Sequence, residues 1–286
     1  MEKRLATDGP VGKRLTLSQW IIGFICIELA WTFLGGGATY LFFEATRNHQ
    51  WSTVVWVDYV GQHVNFIILF IAVLLLVHHG VGTTLRQFIT DAPVFRKRLF
   101  GFSSLVWFVG IGIGTILTIL AEPGAIMYRT TEDLYLRFLM IPIILLLTPL
   151  QCIAEELLFR TTLWRMLEDR TKRYWVLPVI SGLVFTLAHL ANLEVRTTSN
   201  PIPVLLYYFL TGALFMEMTR VYGGSEAAFG AHVANNLYLA LLVNYCGSSL
   251  ASDSWFLQQK PIIWVDLAIL VVCSSIIIRY GNKSNL

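Results

Sequence analysis

The chain has 286 residues, 56% of them hydrophobic and 14% charged, with a mean hydropathy of +0.63, whereas an ordinary soluble domain is roughly a quarter charged. That balance excludes a soluble globular protein and indicates a polytopic membrane protein. The formal net charge of +3 reflects where Lys and Arg sit around apolar runs, and gives no reason to expect nucleic acid as a partner.

A hydrocarbon core takes about 20 apolar residues per helix. In chain order such runs fall at 19–43, 60–77, 100–121, 138–163, 175–193, 202–219, 228–245 and 262–278. They predict an all-α bundle of about eight transmembrane helices, treated as one domain over 1–286. The first run follows a basic segment, as a signal peptide would, but stays apolar past Gly35-Gly36-Gly37 to Phe43 and reads as a retained helix. The glycines suggest a kink or a close approach there. Gln62, His63 and Asn65 interrupt the start of the second run.

Between the second and third runs, 83–99 mixes Leu85, Phe88, Ile89, Val94 and Phe95 with a basic cluster, suiting either an amphipathic segment on an anionic leaflet or a plain basic loop. In the third run, the Gly110-x-x-x-Gly114 spacing predicts close helix packing and no cofactor.

Cytoplasmic loops retain positive charge. Lys3, Arg4, Lys13 and Arg14 precede the first run, Arg86, Arg96, Lys97 and Arg98 follow the second, and Arg165, Arg170, Lys172 and Arg173 follow the fourth. Arg220, Arg279 and Lys283 fall on the same side, whereas Arg47, Arg129, Arg137, Arg196 and Lys260 are sparse on the other. Both termini are expected in the cytoplasm, in a prokaryotic plasma membrane given the compact size. Trp20, Trp164 and Trp175 would sit near the inner interface, with Trp51, Trp56, Trp255 and Trp264 near the outer. Cys26, Cys152, Cys246 and Cys273 form no Cys-x-x-Cys pair, which argues against a disulfide framework or structural zinc.

The second half carries ionisable groups within apolar runs, where they are costly and mark functional sites. Glu156 and Arg160 are four apart and share a helix face, while Glu155 is turned about 100° away. Phe185 and His189 repeat the spacing, as do His232 and Asn236. Each pair alone suits bundle structure as well as chemistry. Together, a carboxylate and a histidine can deprotonate a water, and a second histidine and an asparagine can donate to an oxyanion. A divalent metal on Glu155, His189 and His232 is the alternative, although no His-Glu-x-x-His arrangement accompanies it.

Glu155-Glu156-x-x-x-Arg160, Phe185-x-x-x-His189 and His232-x-x-x-Asn236 resemble, in order and type, the three motifs of the CAAX prenyl protease and bacteriocin-processing (CPBP, or Abi) family of intramembrane proteases. The resemblance covers about 142–236. It implies a cavity open toward the cytoplasm and glutamate-dependent peptide hydrolysis of a membrane-associated or lipid-linked substrate, with no required cofactor. Glu155 would be the general base, His189 its partner, and His232 with Asn236 the oxyanion donors. Glu156, Arg160 and Phe185 would support them, and Asn235 would point to a different face. A peptide-binding immunity or regulatory protein of the same fold, or a proton-coupled transporter using Glu28 and Glu217, are the competing functions.

Overall fold

A computed structural model of the chain describes residues 12–47, 49, 55–130, 134–250, 252–259 and 261–280. Lys3, Arg4, Trp51, Lys260 and Lys283 lie outside them. The helices are α1 (Leu17–Thr46), α2 (Trp56–Val81), α3 (Lys97–Ala121), α4 (Leu134–Leu167), α5 (Val176–Ala188), α6 (Ile202–Tyr222), α7 (Glu226–Leu241) and α8 (Ile263–Tyr280). Among the described residues, six are long and apolar enough to cross a membrane. The exceptions are α5 and α7, of 13 and 16 residues. The protein is thus an all-α polytopic membrane protein, and the two short helices carry the histidine motifs.

Local chemistry explains where elements begin and bend. Thr16 caps α1 in a capping box with Gln19. In α1 a π-helical turn at Ala30–Gly35 brings Gly35 against Asn65 of α2, so the expected close approach is present. Another π-helical turn, Leu157–Thr162, follows the two glutamates in α4. There the Thr161 and Thr162 hydroxyls donate to the carbonyls of Glu156 and Leu157, five residues back. Such turns recur at functional sites.

α3 packs along α7, α5 along α6, and α4 lies between α2 and α7. Gly110 and Gly114 meet Cys273 and Ile269 of α8, as their spacing predicts. Gly182 and Gly212 let the α5 and α6 backbones touch, and Ser181 there donates to the Phe159 and Gly212 carbonyls at 3.0 Å each.

The two ends of the bundle differ. At one end the 83–99 segment folds over the helices: its one-turn helix Leu85–Ile89 buries Phe88 and Ile89, and Phe88 stacks on Trp20. Arg165 ties it to α4 through Asp91 and the Phe88 and Gln87 carbonyls. Arg96 pairs with buried Glu226 at 2.7 Å. Gly223, at φ +56, makes the tight turn into α7. Trp20 and Trp164 are buried in the core at this end of the bundle. At the other end three short strands form a sheet in the order β1 (Ile126–Tyr128), β3 (Phe256–Gln258), β2 (Val243–Tyr245), with β1 antiparallel and β2 parallel to β3. Asp253 anchors it to Arg129 and Arg137.

Candidate active site

A cavity of about 1100 Å³ is lined by Glu155, Phe185, His189, His232, Asn235 and Asn236, and reaches residues 197–200, 245–246, 248–250 and 258–259 at the sheet end. No residue of the basic loops 82–96, 168–175 or 220–225 lines it. The cavity thus extends from the motif residues toward the sheet end and away from the basic loops. α5 contributes to that reach: its 13 residues rise about 20 Å against a core of about 30 Å. It stops at Ala188, and the chain leaves toward the sheet end with His189 at the helix terminus.

All seven motif residues converge, on two sides of α4. On one side Glu156 and Arg160 are fully buried with 3.3 Å between Oε2 and Nε. That contact is an ion pair without an aligned hydrogen bond. The other oxygen of Glu156 meets His232 Nδ1 at 2.8 Å, so Glu156 links the first motif directly to the third. Arg160 Cζ lies 4.1 Å from the centre of the Phe185 ring and 5.4 Å from that of Phe215. Phe185 thereby covers a buried guanidinium as a cation–π partner.

On the other side Glu155 is 4% exposed and takes a hydrogen bond from Gln151 Nε2 at 3.1 Å. Its Oε2 stands 4.0 Å from His189 Nε2. That is too long for a direct hydrogen bond and short enough for one water to bond both. His189 Nδ1 lies 2.7 Å from the Phe185 carbonyl, which only accepts, so Nδ1 is the donor. In the neutral ring the Nε2 lone pair then faces Glu155. The ring is packed between Phe185 and Tyr208, whose centres are 4.1 and 4.4 Å away. Tyr208 donates to Glu194, which also takes the Ser249 amide at 3.1 Å.

Asn235 does not point away, as the sequence suggested. It lines the cavity, accepts from Trp107 Nε1 at 3.2 Å, and donates from Nδ2 to Asn236 Oδ1 at 3.0 Å. This holds the Asn236 carbonyl oxygen to its neighbour, leaving its amide nitrogen for a ligand. The Asn235-Asn236 tandem was the available signal; Trp107 left none. Cys152 is fully buried, its thiol 3.7 Å from the His232 carbonyl, as a structural cysteine. Glu217 pairs with Arg220 and is not among the cavity-lining residues.

For the metal alternative, no group of three or more His, Cys, Asp or Glu among the described residues is arranged to hold a metal ion, while the Nδ1 contacts of His189 and His232 leave the Nε2 atom of each ring unengaged by them.

Fold and site together define an integral membrane protein with a buried Glu/His/Asn centre. Residues 137–238 match the Rce1-like family of type II CAAX prenyl endopeptidases, which bears out the CPBP resemblance and takes in all three motifs. The chain is also 27% identical over 234 residues to YyaK of Bacillus subtilis (strain 168), described as uncharacterized, covering 80% of this chain and 77% of that protein. No solved structure matches.

Proposed function

We propose that the chain is an intramembrane endopeptidase that hydrolyses a peptide bond of a membrane-associated or lipid-linked substrate. The carrying observation is the 4.0 Å separation of Glu155 Oε2 and His189 Nε2 within the cavity. Both atoms accept, so a water between them gives up both hydrogens and turns its lone pairs toward a substrate carbonyl. Glu155 takes the proton as that water attacks. His232, donating Nδ1–H to Glu156, keeps an Nε2–H for the oxyanion when its ring is protonated. The Asn236 amide is the second donor. Arg160 holds Glu156 in place.

The test compares membrane peptides from cells expressing wild-type protein and Glu155→Gln. A specific set of cleavage products falls by about 10²–10⁴-fold, the usual weight of a positioned base. An unchanged peptide profile sinks the reading and favours peptide binding without cleavage.

Sidedness belongs to the same proposal. Arg96–Arg98 and Arg165–Arg173 put the basic end in the cytoplasm, and the cavity then receives its substrate from the extracytoplasmic side. Cys246 is a native reporter, exposed among the cavity-lining residues of the sheet end. A membrane-impermeant maleimide labels it in intact cells and not in Cys246→Ser. Labelling only after permeabilisation reverses the assignment.

A further inference from the structure

α2 brings a third imidazole to the cavity. His63 is 2% exposed and lines it together with Gln151 and Glu155. Its Nδ1 lies 2.6 Å from the Tyr59 carbonyl one turn earlier, and a carbonyl can only accept. The neutral ring therefore presents Nε2 as an acceptor, and that nitrogen is buried with no hydrogen-bond partner. Gln151 has the complementary defect. Its Nε2 donates to Glu155 Oε1, while its Oε1 is buried and unpartnered. His63 and Gln151 are in contact, and a protonated ring would donate Nε2–H to Gln151 Oε1; with the ring neutral the two acceptors cannot satisfy each other.

The amide orientation follows from Glu155. An ionised carboxylate needs the Nε2–H of Gln151, which turns Oε1 away from it. The His63 ring is held from behind, 4.3 Å from the Tyr59 ring by centres and 6.1 Å from Phe66. Tyr59 is itself fixed by its hydroxyl contact with Thr148, one turn before Gln151 on α4. Two immobilised acceptors beside a proposed catalytic carboxylate, each lacking a donor, define a place for a group rich in N–H.

We propose that His63 Nε2 and Gln151 Oε1 form the amine-side subsite of the cavity, accepting the N–H of the scissile amide and then holding the amino terminus released from it. This rests on the hydrolase reading of Glu155. When the C–N bond breaks, its electron pair stays on nitrogen, which takes the proton that Glu155 drew from water. The product amine has at least two N–H donors for the two acceptors. Gln151 thus holds the base with one end of its amide and the leaving group with the other. The substrate is also given a direction: its acyl side lies toward His232 and Asn236, and its amine side toward α2.

The experiment measures binding of a short alanine tetrapeptide amide with a free amino terminus, and of the same peptide lacking only that amino group, to detergent-solubilised Glu155→Gln protein. The amino peptide is expected to bind about tenfold more tightly, the scale of two modest hydrogen bonds. His63→Phe, which keeps the aromatic packing, and Gln151→Leu, each added to Glu155→Gln, abolish the discrimination, and His63→Asn restores part of it. Melting temperatures show that each variant is folded. Equal binding of the two peptides to the parent, or discrimination unchanged in both variants, overturns the subsite. If the amino peptide is preferred while the wild type cleaves nothing in cells, the hydrolase reading fails and the amine site stands.

Discussion

Glu155 and Glu156 are neighbours in sequence and opposites in surroundings. Glu156 is enclosed by Arg160 and His232 with no exposure, so both of its oxygens face charged or chargeable partners. Glu155 has one amide donor, a histidine held at 4.0 Å, and the cavity beside it. A carboxylate walled in by buried partners can hold structure together but has no room for a substrate. One left a water's width from its partner can do chemistry. The 100° step between adjacent helical residues lets a single turn of α4 supply both.

The largest effect that can break this comparison is on stability. Glu156→Gln leaves Arg160 buried without its counter-charge, and loss of one partner of a buried pair costs about 3–5 kcal/mol. Glu155→Gln removes no ion pair and can keep its contact with Gln151. Reversible unfolding in detergent is expected to show Glu156→Gln far less stable than wild type and Glu155→Gln close to it. Equal destabilisation by the two would reduce both residues to structure and remove the distinction.

Much of this contrast was legible in the sequence. The four-residue spacings put Glu156 with Arg160 and His189 with Phe185, and the hydropathy runs located α1 to α8 to within a few residues at most ends. Three features were not legible. The cavity mouth depends on the premature end of α5, and the apolar run to Leu193 continues past Ala188, so hydropathy could not mark it. The contact between Glu156 and His232 joins α4 to α7 across 76 residues, and helical periodicity is silent on which faces of distant helices meet. Trp107 sits in α3 with the pattern of an ordinary span, and His63 interrupts the run of α2 beside Gln62 and Asn65 with no spacing that ties it to the three motifs. Their roles come from single orphaned or matched polar atoms that only packing creates.

Phe185 gives the smallest test and bears on both sides of α4. Its ring lies against Arg160 on one side and His189 on the other, while its backbone carbonyl holds His189 Nδ1. Phe185→Leu removes the ring and keeps the carbonyl. The locked side should lose the cation–π term, about 0.5–2 kcal/mol for a guanidinium shielded from water, whereas the tautomer of His189 should survive. Phe215 stands farther from the same guanidinium, at 5.4 Å against 4.1 Å, so Phe215→Leu should cost less of that term. Unfolding free energies of the two variants, measured beside cleavage rates, separate the contributions. If Phe185→Leu abolishes cleavage at unchanged stability, the ring serves His189 and not Arg160, and the division between a locked and a reactive side no longer runs through Phe185.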